Sequence, residues 1–273
     1  MARSRRQILS RAGHHVGMAL KKLRSTWAFA AVILVGSACG GPTSQPSEVD
    51  PTGPPEVRPE VVRDHAEQFD EEMDHRQAGS QLEQAASQYV LGHLQQAGYF
   101  VRLDAVPVED LVESTNLVAL PPSGEDAGTI VTVAYDAVED DSSGATVGAF
   151  LELARALYAA HPDHRVQFVA LGAEASDDHL GSRRLAQQLR EEGSSVDVVS
   201  IVPGGPELGA VGSLAADFET AARSAGVAVG GPPPLENYGV DVFSRAGFDS
   251  LIVGGPPEDL GAVLITWLAP DDG

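Results

Sequence analysis

The sequence is poor in cysteine and in positive charge. Cys39 is the single cysteine among 273 residues, which excludes an intramolecular disulfide framework and any Cys-x-x-Cys zinc or redox site. The 18 lysine and arginine residues face 39 acidic residues, giving a formal net charge of −21. This balance argues against a nucleic-acid partner, because too few cations are present to neutralise a run of phosphates. Apolar residues make up 43% of the chain, enough to bury the core of one large α/β domain or two small ones.

Residues 1–38 contain no acidic residue and have the composition of an export signal. Seven basic residues accompany an apolar run over residues 27–35, and Gly36-Ser37-Ala38 then leads to Cys39. The run is shorter than the roughly 20 residues that a membrane-spanning helix needs, so a secretory signal is the better interpretation. Ser-Ala-Cys-Gly resembles a bacterial lipobox, which implies lipidation of Cys39 and an exported lipoprotein anchored to a membrane of the bacterial cell envelope. An ordinary signal peptide with an incidental cysteine is the alternative.

The true start of the signal has two interpretations. Ser4-Arg5-Arg6-Gln7-Ile8-Leu9 looks like a twin-arginine export motif, but it lies well before the apolar run. Translation from Met18 gives a more compact signal peptide, and we favour it. Residues 39–60 are rich in proline, glycine, serine and threonine and predict a tether. Beyond residue 38, 11 basic residues remain against all 39 acidic ones, so the exported part is more acidic still, at −28.

The body of the chain, residues 61–273, alternates extended and helical patterns. Strands are expected over residues 99–108, 115–120, 129–135, 166–172, 196–202, 250–253 and 262–267. Helices are expected over about 61–74, 80–98, 143–160, 179–192 and 213–226. Apolar strands that alternate with helices predict a three-layer α/β/α domain with a largely parallel, mixed central sheet. Ligands of such a sheet bind beyond the carboxyl ends of the strands, here 134–136, 172–174 and 202–204.

Several motifs follow one another in an order typical of one enzyme family. They are His75-Arg-Gln-Ala-Gly-Ser80, Ser114-Thr-Asn-Leu-Val-Ala119, Val131-Thr-Val-Ala-Tyr-Asp136, Asp140-Asp-Ser-Ser-Gly144, Phe168-Val-Ala-Leu-Gly-Ala-Glu174 and Gly181-Ser182. Together they resemble metallopeptidase family 28, the two-zinc aminopeptidases, which also contains glutaminyl cyclases. The resemblance runs from about residue 61 to the end of the chain and implies the zinc-aminopeptidase fold.

The resemblance also implies a catalytic site, of which this sequence keeps only part. In the family, five ligands hold two zinc ions that clamp a water and the substrate carbonyl. The general base corresponds to Glu174. The residue that orients the first histidine ligand corresponds to Asp136, and the bridging ligand corresponds to Asp140. The four remaining ligand positions correspond to residues without a metal-binding group, namely Ala134, Ala175, Val202 and Leu268. We therefore expect no zinc and no other cofactor, and Glu174, Asp136 and Asp140 are interpreted as vestigial.

Other groupings of polar residues have simpler interpretations. His179 lies near Glu174 in sequence and could form a weak cation site with Asp177 and Asp178, but we favour the interpretation as a solvated acidic loop. The stretch Asp140-Asp-Ser-Ser143 could cap the following helix instead of binding metal. His161 and His164 are expected at the opposite end of the sheet.

Three functions stay open. In order of preference, they are a catalytically inactive, lipid-anchored protein that binds or scaffolds a peptide or protein partner, an active metal-dependent peptide hydrolase with a rearranged site, and a truncated or decayed gene product. The third rests on the expectation that the chain stops where the family continues into a terminal helix. A sheet without its closing helix is expected to fold poorly.

Overall fold

The domain is a seven-stranded sheet between two layers of helices. The computed structural model describes residues 55–109, 112–137, 143–175, 178–233 and 241–269. The strands are β1 Val101–Glu109, β2 Val112–Ala119, β3 Thr129–Ala134, β4 Val166–Leu171, β5 Asp197–Ile201, β6 Gly209–Gly212 and β7 Ser250–Gly254. The helices are α1 Pro59–Glu72, α2 Gln81–Gln96, α3 Gly144–Ala160, α4 Leu180–Glu192, α5 Ala215–Ser224, α6 Asp241–Ala246 and α7 Pro257–Leu268.

The strand order is β1-β2-β4-β3-β5-β7-β6. The four central strands β4, β3, β5 and β7 run parallel, and β1, β2 and β6 pair antiparallel at the two sides. This is the mixed, largely parallel sheet that the sequence predicts. Since the central strands share one direction, their carboxyl ends meet at one edge of the sheet.

The core lies on both faces of the sheet, because successive strand residues point to opposite sides. Val131 and Val133 of β3 join a cluster that includes the buried faces of α1, α2, α3, α5 and α7. Ile130 of the same strand joins a second cluster, which includes residues of α4 and α6. These two clusters confirm the predicted three-layer arrangement.

The folded domain begins a few residues earlier than the sequence predicts. Val57 is buried against α7, where a Cβ at Gly261 would lie 2.4 Å from a Val57 methyl carbon. Arg58 donates to the Glu152 carboxylate of α3, with Nη2 and Oε1 2.9 Å apart. The boundary at residue 60 is therefore wrong, because the end of the predicted tether contributes apolar contacts and an ion pair to the domain.

The end of the domain also differs from the prediction. The expected strand over residues 262–267 is helical and belongs to α7, whose buried residues Leu260, Val263, Leu264 and Leu268 follow the period of a helix. The expectation that the fold lacks a terminal helix is thus wrong. Two short elements, β6 and α6, are not predicted. Strand β6 escapes prediction because its four residues, bounded by glycines, carry no hydrophobic pattern. Within the described residues, no helix has the length and apolarity to cross a bilayer.

Candidate functional site

The predicted site residues follow neighbouring strands at one edge of the sheet. Ala134, the last residue of β3, pairs with Leu171 of β4, and Val133 pairs with Ile201 of β5. Asp136, Glu174 and Val202 therefore follow three adjacent strands, as the sequence predicts. Cys39, Asp140 and Asp177 lie outside the described residues.

Asp136 is buried at this edge and holds the loop that follows β4. Its two carboxylate oxygens accept hydrogen bonds from the backbone N–H groups of Glu174 and Ala175, each at 3.0 Å. Ala173, just before them, has a φ of +52°, a conformation that costs a non-glycine residue free energy. The side chain of Asp136 thus stabilises an unfavourable turn in the neighbouring strand connection.

Glu174 in turn binds the first turn of α4. One carboxylate oxygen accepts the backbone N–H of Ser182 at 2.8 Å, and the other accepts the Ser182 hydroxyl at 2.7 Å. The N–H groups of a first helical turn lack partners within the helix, and the helix dipole favours a negative charge there. Glu174 therefore caps α4 from outside the helix.

Gly181 lets these groups approach one another. A Cβ at Gly181 would lie 2.4 Å from the Gly172 carbonyl oxygen and 3.3 Å from Oε2 of Glu174. His179 adds a further contact, because its Nδ1 donates to the Glu174 carbonyl oxygen at 2.9 Å and lies 3.7 Å from Oε1. The predicted proximity of His179 to Glu174 is confirmed. Asp178, by contrast, faces Arg183 at 3.4 Å.

A third buried carboxylate, Glu83 in the first turn of α2, belongs to the same group. The Ser80 hydroxyl accepts the Glu83 N–H at 3.1 Å, as expected for the start of α2. The Glu83 carboxylate accepts the N–H of Gly79 and the hydroxyl of Ser114, which places it beside β2. Burial raises the pKa of Glu83 above its ordinary value. Its position in a capping motif conceals this second role.

The three carboxylates influence one another electrostatically. Burial raises the pKa of Asp136 to about 7, and the negative charges of Glu174 and Glu83 add to this rise, whereas the two backbone N–H donors oppose it. Near neutral pH, Asp136 is therefore partly protonated, unlike an ordinary carboxyl group. A raised carboxyl pKa is common at catalytic sites, but it also occurs in buried structural networks.

Arg76 connects the two ends of the segment that contains Asp140. Its buried guanidinium donates to the Tyr135 carbonyl at 2.8 Å and to the Ser143 hydroxyl at 2.5 Å. Ser143 precedes α3 but makes no side-chain capping bond, and the Gly144 N–H instead donates to Asp70 at 3.3 Å. Capping of α3 by Ser143 is therefore ruled out, whereas the role of Asp140 stays a prediction.

The positions that correspond to the family's other ligands carry apolar side chains. Ala134 ends β3, whereas Ala175 and Val202 follow β4 and β5, and Val202 is buried with its N–H bonded to the Val253 carbonyl at 2.9 Å. Leu268 is different. It is the last residue of helix α7 and does not lie at a strand end with the other three, so its correspondence to a ligand position stays a prediction.

The donor groups of the described residues do not fit a two-zinc site. Both oxygens of Asp136 accept backbone N–H groups, and both oxygens of Glu174 are bonded to Ser182. No group of three histidine, cysteine, aspartate or glutamate side chains is arranged to hold a metal ion in the part of the chain that the structure describes. His161 and His164 precede β4 and so lie toward the opposite end of the sheet, as predicted.

Comparison with known proteins identifies the fold. No family model and no curated protein sequence matches the chain. Among solved structures, the Legionella pneumophila LapA aminopeptidase aligns with a TM-score of 0.65 at 12% identity, over 78% of this chain and 71% of that one. The Bacillus subtilis zinc aminopeptidase BSAP gives 0.61 at 14% identity, over 78% and 94%. The glutaminyl cyclase of Fimbriiglobus ruber gives 0.61 at 17% identity, over 78% and 95%. The chain therefore has the fold of the bacterial zinc aminopeptidases and of the related glutaminyl cyclase.

Proposed function

We propose that this chain is a catalytically inactive member of the zinc-aminopeptidase fold that binds or scaffolds a peptide or protein at the envelope of a bacterial cell. The observation that carries the proposal is the use of Asp136 and Glu174. Their carboxylates hold the β4–α4 connection through hydrogen bonds to the backbone of Glu174 and Ala175 and to Ser182. Both residues thus have a structural reason to be present that does not require zinc.

The lost ligand positions support the same conclusion. A catalytic zinc needs about three protein ligands and one open position, and a two-zinc site needs a bridging carboxylate in addition. Ala134, Ala175 and Val202 supply methyl groups at the strand ends where such ligands would have to stand. Glu174 as a general base would need a metal-bound water of lowered pKa, and its carboxylate is instead bonded to Ser182.

Export and anchoring are proposed from the sequence. The acid-free residues 1–38, with their apolar run, precede Cys39, the single cysteine. A lipid on Cys39 would hold a strongly acidic domain at a surface that its charge alone would not favour.

Metal content and peptidase activity of the full-length chain test the proposal. We expect far less than one zinc per chain by elemental mass spectrometry, and no cleavage of a panel of aminoacyl-amide and dipeptide substrates with or without added zinc. Glu174→Gln serves as the matched control, and its zinc content and activity should equal those of the unmodified chain. About two zinc ions per chain, with turnover that Glu174→Gln abolishes, would overturn the proposal in favour of an active hydrolase with a rearranged site.

The third interpretation, a decayed gene product, is tested in the same preparation. It rested on the absence of a closing helix, but α7 buries Leu260, Val263 and Leu264 in the core of the domain. We expect a single cooperative thermal transition. A chain that unfolds gradually, without such a transition, would support decay.

A further inference from the structure

Strand β1 forms one side of the sheet and has no neighbour beyond it among the described strands. It is nine residues long, Val101–Glu109, and pairs with β2 along its inner side. An uncovered edge strand of this length presents a row of backbone N–H and C=O groups to any strand that approaches it.

The alternation of the ladder identifies which groups point outward. The Phe100 carbonyl accepts the Leu120 N–H at 2.9 Å, so these two directly opposite residues form a hydrogen-bonded pair. Since such pairs alternate in an antiparallel ladder, residues 102, 104 and 106 also bond to β2, and Val101, Leu103 and Ala105 direct their backbone groups away from it. Pro107 occupies the next outward position, where a residue without an N–H is tolerated.

The same edge exposes large apolar side chains. Phe100 and Leu103 are the two large hydrophobic residues identified as strongly exposed in the described structure, at 75% and 56%. Leu103 faces the α2 side of the sheet, opposite Leu117 of β2. Phe100 lies on the other side, together with Arg102.

We propose that β1 of one chain pairs with β1 of a second copy of this chain. The two strands run antiparallel about a two-fold axis at Leu103 and join two seven-stranded sheets into one. In this register, Leu103 faces Leu103 of the second copy, and Val101 faces Ala105. All of these residues have outward backbone groups, so the pairing forms about six hydrogen bonds. The two exposed leucines meet on one face of the joined sheet.

Charge selects this register from its alternatives. With the axis at Leu103, Arg102 of each chain lies opposite Asp104 of the other on the α4 face. Asp104 bonds to Arg184 at 3.1 Å through one oxygen, and its other oxygen is buried without a hydrogen-bond partner in the described structure. An axis at Ala105 would bring Pro107 opposite Leu103 and lose a donor, whereas an axis at Val101 would leave Arg102 opposite Phe100.

The net charge of the chain does not prevent this contact. Two chains of charge −21 repel one another at a distance. Arg102, Asp104 and Arg184 nevertheless leave the centre of the β1 edge without net negative charge, and repulsion from more distant groups is screened beyond about 10 Å at 0.1 M salt. Moderate ionic strength should therefore not cause the dimer to dissociate.

Sedimentation velocity and hydrogen exchange of the full-length chain, over a hundredfold range of concentration, test the proposal. We expect a monomer–dimer equilibrium in which the amides of Val101, Leu103 and Ala105 become protected as the dimer forms. A chain that stays monomeric, or a dimer in which these three amides exchange as fast as in the monomer, overturns the proposal. Because this readout uses the unmodified chain, it does not depend on the folding of a variant, and it is independent of zinc and of peptidase activity.

Two variants test the geometry. Leu103→Pro removes an outward N–H that β2 does not use, so the monomer should fold and the dimer should be lost. Arg102→Asp sets carboxylates opposite Asp104 and should weaken the dimer about tenfold. Arg223→Asp on α5, an exposed arginine at the other side of the sheet, is the matched control and should not change the dimer. A dimer unaffected by Leu103→Pro overturns the pairing, and one unaffected by Arg102→Asp overturns the register.

Discussion

The carboxylate of Asp136 holds the backbone of Glu174, with Oδ1 and the amide nitrogen 3.0 Å apart. Glu174 then uses its own side chain to cap α4 through Ser182. Through these two successive contacts, the acidic side chains connect the end of β3 to the start of α4. This connection explains why both are present without requiring that either performs catalysis.

The buried Asp136 should give the domain a characteristic pH dependence. Its pKa of about 7 in the folded state exceeds the ordinary value for aspartate, so between these values the folded state holds more protons than the unfolded state. The contribution of Asp136 to stability is therefore complete below about pH 4 and is lost as the pH rises through 7. In urea denaturation, the free energy of unfolding should fall between pH 5 and 8 because of Asp136, by at most about 1.4 kcal/mol per pH unit.

Asp136→Asn removes this titration. The variant should be less stable by about 1–3 kcal/mol at pH 5, because an amide oxygen cannot replace both acceptors of the backbone N–H groups. The fall of its unfolding free energy from pH 5 to pH 8 should be smaller than in the unmodified chain. Equal slopes in both proteins would show that Asp136 titrates alike in the folded and unfolded states.

Glu174 and Ser182 should be coupled in a double-mutant cycle. Glu174→Gln removes the charge at the start of α4 and one acceptor, with an expected loss of about 1–2 kcal/mol, and Ser182→Ala removes the hydroxyl donor at about 1 kcal/mol. The loss of stability in the double variant should be smaller than the sum of the losses in the two single variants. Strict additivity in urea denaturation would contradict the capping role of Glu174.

His65 and His93 should make the domain sensitive to acid. The rings lie 4.7 Å apart between α1 and α2, and His93 Nδ1 has no hydrogen-bond partner within the described residues. Burial lowers the pKa of His65 to about 3 and that of His93 to about 4. The unfolded state therefore binds more protons below about pH 6.5, and stability falls as the pH falls from 6.5 toward 4.

His93→Phe should reduce this loss, because a phenyl ring fills a similar space and cannot be protonated. Unfolding free energies measured by urea at pH 6.5 and pH 4.5 should differ less in the variant than in the unmodified chain. His75→Phe is the control, since the His75 imidazole is 60% exposed. A variant that loses stability in acid as steeply as the unmodified chain would contradict the prediction.

Glu152→Gln should be strongly destabilising. The carboxylate is buried in α3 between Arg155, which is also buried, and Arg58. Burial alone would raise the pKa of Glu152, but hydrogen bonds from Arg58 and Arg155 hold it below its ordinary value. Removal of the charge breaks the buried ion pair between Glu152 and Arg155, so we expect a loss of about 3–5 kcal/mol in urea denaturation. A loss below 1 kcal/mol would mean that water reaches Arg155.

Cys39→Ser should release the protein from the membrane. Without the thiol no lipid can be attached, so the chain should leave the membrane fraction of a bacterial host, whereas Ser37→Ala should stay with it. Mass spectrometry of the peptide that contains Cys39 gives the direct measurement. A Cys39 that carries no lipid, in a chain that is not cleaved directly before it, would support the alternative of an ordinary signal with an incidental cysteine.

The sheet could be predicted because its central strands are apolar runs with clear ends. Val131 and Phe168 sit in such runs, and their burial on a parallel sheet follows directly from the pattern. The last helix could not be predicted with the same rules, because residues 262–267 are short and apolar and fit both a strand and a buried helix face. Only packing against α3 and Val57 distinguishes the two.

The candidate site was predictable by position but not by contact. Asp136 and Glu174 lie where the strand ends place them, yet their hydrogen-bond partners are backbone groups that no sequence motif marks. The conformation of Ala173 and the close approach allowed by Gly181 decide those partners. Glu83 joins the group through Ser114, a residue 31 positions away, and local pattern carries no signal of such a contact.

The ion pairs of Glu152 have a mechanical consequence. Arg58 forms an ion pair with Glu152 of α3. The Glu56 carbonyl accepts a hydrogen bond from Nη2 of Arg155, which also belongs to α3, at 2.6 Å. Tension applied to the chain ahead of residue 55 would therefore be transmitted to the middle of α3 and from there to the centre of the sheet. Helix α1 would be shielded from this load and would not be peeled away turn by turn. A domain tethered at one end and pulled by its surroundings would then resist force at its best-packed helix.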